Sequence, residues 1–376
     1  MNKAALKRKS AFSVDDSWVL KGIAIILMMF HHCYRTVDRF EGYTVSFFPF
    51  TQDRIVELSY MFKICVSIFA FISGYGLYLS AKNKCNDIKS TEKWTISRLI
   101  KTLSGFWFVY VLVFISTQIY AQYPQQVYCT ESYTLGGIWA VIDFLGLANL
   151  FATPTLVGTW WYMSAAIVFI IAVPLSIKWI DKLGLFSLLA ILIIIPRILG
   201  LDYLGGTSAY IFLPAMITGL IFAKYELFQK IDDFKIFKNK TLSEITKFVI
   251  LLALIIIGEF IYRHIYISKV WEYTYAIYPV IVIAFCRKYI ARIPILNKIL
   301  IFFGKHSMNI FLVHTFIREN FFKDFIYGFE RFWLIVLVLF SISLAISVII
   351  IEPLKKLVRY NKLIDKFSRK VCSLIH

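Results

Sequence analysis

Residues 17–37 read Ser17-WVLKGIAIILMMFHHCYRT-Val37, and this stretch decides the fold. A helix needs about 20 mostly apolar residues to cross the hydrocarbon of a bilayer, and the stretch has that length. It nevertheless contains Lys21, His31 and His32. A charge at the centre of a span costs about 2.5–3.5 kcal/mol on insertion scales, so ionisable residues inside a span are functional candidates by default. Lys21 and His32 lie eleven positions apart. At 100° per residue they return to within about 20° of one direction, about 16 Å apart along the axis. One helix face thus offers a cation towards one end and an imidazole towards the other. The structural alternative is that Lys21 snorkels to headgroups and His32 sits at the opposite interface, capped by water. His31 points about 100° away and reads as interfacial.

The rest of the chain agrees with a lipid environment. Of 376 residues 59% are apolar, 18% aromatic and only 17% charged, with a mean hydropathy of +0.70 and a net charge of +18. Average globular domains are about 45–50% apolar and about 25% charged. An ordinary soluble two-domain enzyme and a disordered chain are both excluded. The basic run Lys3, Lys7, Arg8 and Lys9 precedes the first span. No small-residue cleavage site follows, so the segment reads as a retained span and not a signal peptide. The six cysteines are scattered without a CxxC pair, so no zinc site, other metal centre or disulfide framework is indicated.

About ten spans are expected, at roughly 17–37, 59–80, 100–120, 159–179, 184–201, 207–225, 246–263, 270–287, 297–317 and 332–352. The apolar but interrupted stretch 136–152 holds Asp143 and reads as an interfacial or re-entrant helix, or a lid. If the N-terminus is cytoplasmic, the inner segments 1–16, 81–101, 178–183, 224–247, 287–298 and 353–376 hold most of the 41 basic residues, and 121–157 holds none. That is the positive-inside pattern. The expected fold is an all-α polytopic membrane protein with both termini cytoplasmic. It has a basic N-terminus over 1–16, a membrane domain over 17–353 and a basic tail over 354–376. Most of the net charge then records orientation, and nucleic acid drops out as a partner. Lys21, Lys63 and Lys305 are the cations left within spans or at their ends.

The segment Lys21-Gly22-Ile23-Ala24 followed by His32 resembles the first span of the integral-membrane acyltransferase-3 family, with Lys21 where that family places Arg. Phe69-Ala70-Phe71-Ile72-Ser73-Gly74-Tyr75 resembles its second-span block. Arg98 and Lys101 are similar to its basic pair at the third span. GTWWYMSA (158–165), FLPAMITGLIFAK (212–224), FGKHSMNIFLVHTFI (303–317) and Ile351-Glu352-Pro353-Leu354 follow in the family's order. The resemblance covers about residues 15–355. Two departures stand out. Lys21 keeps the charge of Arg but loses its planar bidentate fork. Ser67 stands where many members carry Asp, so a carboxylate that orients the histidine must come from elsewhere or is absent.

The resemblance implies transfer of an acyl group, usually acetyl, from cytoplasmic acetyl-coenzyme A to a hydroxyl of a cell-surface polysaccharide or its lipid-linked precursor. It implies a multi-pass protein of the bacterial cytoplasmic membrane. The coenzyme is a substrate, and no permanently bound cofactor is expected. His32 would be general base, or nucleophile in an acyl-histidine step, with Lys21 contacting the donor. Lys93, Arg98 and Lys101 would hold the donor's phosphates through charge-assisted bonds, or else anchor the third span. His314, Ser307 and Ser73 would support the site, and His314 has the alternative of bonding between helices. Trp160, Trp161 and Tyr162 would stack on the acceptor, or form an aromatic belt. Asp38, Glu41, Asp53 and Glu57 are weak candidates to orient His32. His306 and His264 read as solvated, and His376 has no assigned role. Some members of the family append an extracytoplasmic hydrolase-like domain, and none is expected here. A different class, a polysaccharide exporter or flippase lined by Lys21, His32 and His314, fits the same span count. No oligomer is indicated.

Overall fold

The computed structural model describes residues 12–130, 135–199, 207–264 and 273–375. Among these the chain is helical, and a bridge joins Ser46 to Arg331. In order the helices are α1 Val14–Tyr34, α2 Gln52–Met61, α3 Ile64–Ala81, α4 Ile88–Ala121, α5 Tyr123–Tyr128, α6 Gly136–Phe144, α7 Trp161–Leu183, α8 Leu185–Ile198, α9 Ala209–Lys224, α10 Leu227–Asp233, α11 Lys240–His264, α12 Tyr278–Lys288, α13 Pro294–Phe316, α14 Lys323–Tyr327, α15 Phe332–Ala345, α16 Glu352–Leu357 and α17 Tyr360–Ser373. The main apolar core runs from Phe12 to Ile351, with a smaller cluster of Val19, Ala291 and Leu300 beside it.

Among the described residues seven helical stretches are long and apolar enough to cross a membrane, and an eighth is reached if α9 and α10, bent by 62°, count as one. The sequence expectation was about ten. Of the remaining segments, α8 has 14 residues, about 21 Å of helix and short of a bilayer core. Helix α11 has 25 residues and joins the two ends of the bundle. Its Glu244 pairs with Lys288 at 2.8 Å and its Glu259 with Arg54 at 2.8 Å. Residues 1–11, 200–201 and 270–272, which fall within expected segments, lie outside the described residues, as does His376.

Two helix pairs form the frame. Gly22 of α1 lies on the Leu300 carbonyl of α13, and Gly304 of α13 lies on the Trp18 carbonyl of α1. Likewise Gly74 of α3 meets the Met216 carbonyl of α9, and Gly219 meets that of Phe71. A Cβ at any of these would collide with the opposing backbone. Small residues are what allow helices to approach this closely in lipid, where the hydrophobic effect supplies no force between them. The contact continues along α1 and α13 to His32 and His314, whose rings are 4.8 Å apart. The two helices therefore run parallel.

The start of α1 is set by Ser13 and Asp16. The Asp16 N–H donates to Ser13 Oγ at 3.0 Å, and the Ser13 N–H donates back to Asp16 Oδ2 at 2.8 Å. Helix α1 is then fixed at both ends. Phe12 packs on Tyr75 at 4.5 Å, and Tyr34 Oη donates to the Phe332 carbonyl at 2.8 Å.

The Asp143 segment is a buried staple. Asp143 accepts from Tyr128 Oη at 2.6 Å, Thr155 Oγ1 at 3.0 Å and the Leu156 N–H at 2.8 Å. Burial pushes its carboxyl above its ordinary pKa, against the pull of those three donors. Another polar knot ties α13 to α16. Asn309 Nδ2 donates to Glu352 at 2.8 Å and to Ser347 at 2.9 Å, while Lys355 donates to Asn309 Oδ1 at 3.1 Å. His306 Nδ1 meets the Ser347 hydroxyl at 2.9 Å. That corrects its reading as solvated: it belongs to this knot.

Candidate active site

A cavity of about 610 Å³ passes through the bundle beside α1. Trp18, Lys21, Gly304 and Lys305 line it at one end, and His31, His32, Arg35, Arg39 and Lys63 at the other. Between them lie Met28, Phe69, Ser73, Tyr162, Ser307 and Phe311. The face computed from helical periodicity is thus a real surface. Lys21 and His32 look into one continuous space because α1 is pinned to α13 behind them. A smaller cavity of about 240 Å³ shares Lys21, Ser73 and Thr102 with the first.

The three histidines at the upper end differ in their partners. His31 Nδ1 donates to the Ser59 carbonyl at 2.7 Å. His314 Nδ1 meets the Phe311 carbonyl at 2.8 Å, and a carbonyl only accepts, so Nδ1 carries the proton. In the neutral ring Nε2 then accepts from Thr315 at 2.9 Å, whose hydroxyl accepts from Thr159 at 3.2 Å. Both rings are held by the fold. His32 Nδ1 is buried with no hydrogen-bond partner. A buried polar atom left without a partner costs about 1–3 kcal/mol. Of the two imidazoles on the cavity wall, His32 is therefore the one left available.

Charge is distributed unevenly along the cavity. Lys21 has its ammonium 4.5 Å over the Trp18 ring. At the His32 end, Arg39 and the buried Arg318 share one carboxylate, Glu319, with Arg39 at 3.3 Å. Among the described residues no carboxylate pairs with Arg35 or Lys63.

A family profile described as an acyltransferase domain matches residues 15–352. The chain belongs to the acyltransferase-3 family. No curated protein and no solved structure matches it.

Within this acyltransferase-3 domain the expected residues separate into those on the cavity and those off it. Lys21, His32, Ser73, Ser307, Trp161 and Tyr162 line it. Ser307 Oγ donates to its own helix at the Gly304 carbonyl, 2.7 Å away. His314 is fully buried behind the wall, packed on the His32 ring. Trp160 is not on the wall. It is buried, its Nε1 donates to the Leu312 carbonyl at 3.0 Å, and it packs edge-on against Phe106. Its place is structural, because the turn at 158–160 points neighbouring indoles in different directions.

Lys93, Arg98 and Lys101 also lie off the wall. Arg98 is hydrogen-bonded to Ser80. The Lys93 carbonyl faces Cys372 of α17 at 3.6 Å. Lys101 is exposed, one position before Thr102, which does reach the cavity. The loop carboxylates do not approach His32 either. Asp38, Glu41 and Asp53 are exposed, and Glu57 pairs with Arg54 at 3.3 Å. Ser67 is buried, with its hydroxyl unpartnered. The His264 side chain lies outside the described residues. Arg35, Arg39, Lys305 and Glu319 escaped the sequence reading as site residues. Lys63 and Lys305 did leave a signal, as cations at span ends with no structural need for charge.

Proposed function

We propose that this acyltransferase moves an acetyl group from acetyl-coenzyme A to a hydroxyl of a cell-surface polysaccharide or its lipid-linked precursor. The observation that carries this reading is one cavity lined by Lys21 at one end and by an unpartnered imidazole, His32, at the other. The donor enters at the Lys21 end, the cytoplasmic one by the distribution of basic residues. Lys21 and Lys305 face its anionic groups, and Lys101 stands outside the mouth. The acceptor enters at the His32 end of a protein seated in a bacterial cytoplasmic membrane.

His32 takes the proton of the acceptor hydroxyl as its oxygen bonds to the thioester carbonyl carbon. The C–S bond then breaks, and the departing coenzyme A thiolate recovers that proton from the imidazolium. His314, fixed by Phe311 and Thr315, packs on the ring of His32 and holds its orientation in place of a carboxylate. Trp161 and Tyr162 offer apolar faces on which a sugar can rest. An exporter lined by the same residues would release no coenzyme A.

Mass spectrometry of surface glycan should show an acetyl ester in cells carrying the wild-type protein. His32→Ala should remove it and stop release of coenzyme A from acetyl-coenzyme A in membranes, a loss of about 10²–10⁴-fold for a general base. Ester at the wild-type level in His32→Ala cells would refute the mechanism.

A further inference from the structure

The His32 end of the cavity holds more positive charge than the fold can use. Arg35, Arg39 and Lys63 line it, and among the described residues Glu319 is the one carboxylate on its wall. Glu319 is already engaged by Arg39 and by Arg318. That leaves Arg35 and Lys63 with no carboxylate among the described residues. Both side chains are half-buried, they lie within electrostatic reach of one another, and Arg35 Nε is buried without a partner. Two like charges held together beside a low-dielectric wall repel, and a guanidinium nitrogen out of water loses its hydration. An anion between them removes both penalties. A guanidinium also grips a carboxylate or phosphate through paired hydrogen bonds.

We propose that this end of the cavity is a subsite for an anionic group on the acceptor glycan, held by Arg35 and Lys63. The proposal rests on reading the cavity as an acyl-transfer site and narrows its acceptor. Arg35 follows His32 by three positions at the helical C-cap of α1, so the two side chains project from one face about 5–6 Å apart. The hydroxyl that His32 deprotonates therefore lies on the sugar that bears the anionic group or on the sugar next to it. The anionic oxygens belong either to a sugar carboxylate or to the diphosphate of a lipid-linked precursor.

The test follows ester formed on native glycan from acetyl-coenzyme A by the full-length protein, in membranes opened with a neutral detergent. Methyl β-D-glucuronide or sodium pyrophosphate should inhibit, methyl β-D-glucoside should not, and excess acetyl-coenzyme A should leave the inhibition unchanged. Stronger inhibition by the glucuronide names the sugar carboxylate, and stronger inhibition by pyrophosphate names the diphosphate. Arg35→Gln and Lys63→Gln should each slow transfer at limiting acceptor by about ten- to a hundredfold, the size of one charge-assisted bond, with Arg35→Lys recovering part of the loss.

Three results overturn the proposal. The first is no inhibition of the wild-type protein by either anion, which does not depend on any variant folding. The second is inhibition relieved by acetyl-coenzyme A, which puts the anion at the donor end. The third is inhibition abolished in phosphatidylglycerol vesicles but kept in phosphatidylcholine, which makes a lipid headgroup the occupant. In each case the same assay still shows acyl transfer lost in His32→Ala, so that reading stands. Transfer retained in His32→Ala would instead remove both.

Discussion

The two ends of the cavity are built from the same helix pair, yet they solve different problems. At the lower end two cations, Lys21 and Lys305, line the wall, and Lys21 rests on an indole. At the upper end three histidines and several cations crowd one carboxylate, and one imidazole is left unbonded. The lower end is sparse, as the proposed long anionic donor, its bulk outside the membrane, would need. The upper end is crowded, as suits chemistry that must orient a base and a hydroxyl together. Between them, α1 and α13 act as a rigid ruler, because glycine contacts fix their spacing and parallel direction.

Substitutions can break this contrast in order of size. Lys21→Gln should have the largest effect at the lower end after the loss of His32 itself. On the proposed reading it removes the charge that faces the donor, and it should raise the apparent KM for acetyl-coenzyme A by roughly ten- to a hundredfold, read by initial rates in membranes. An unchanged donor KM would return Lys21 to a snorkelling role. Next is Gly304→Ala, whose added methyl meets the Trp18 carbonyl and forces the ruler apart. Overpacking of this kind costs about 1–3 kcal/mol, so the melting temperature in detergent should fall, with both ends of the cavity impaired together.

Asp143→Asn provides a contrast off the wall of the main cavity. One of its three acceptor bonds is lost, so stability should fall by about 1 kcal/mol while the donor KM holds. A changed KM with unchanged melting would show that the segment reaches the site. Arg98→Ala should matter least. Its guanidinium is turned to Ser80 and away from the cavity, so the donor KM should move by less than about twofold, within the range of a screened surface charge. A larger shift would place the nucleotide along α4, outside the cavity.

Much of this was legible in the chain itself. Helical periodicity placed Lys21 and His32 on one face, and the cavity confirms that both look into one space. The order of motifs pointed to the family that residues 15–352 match. Other assignments required neighbours that lie far away in sequence. Trp160 and Trp161 are adjacent, yet the first is buried against Leu312 and the second lines the cavity. His306 looked solvated because its partner, Ser347, is 41 residues away.

The sequence alone determined that the protein is an all-helical chain for lipid, and which helix carries Lys21 and His32 on one face. It could do so because hydropathy and the 100° repeat are local properties of the chain. Only the tertiary structure decided which histidine is free and which cations are unpaired. A hydrogen bond or an ion pair is a relation between distant segments, and His31, His32 and His314 differ only in what the fold brings beside them.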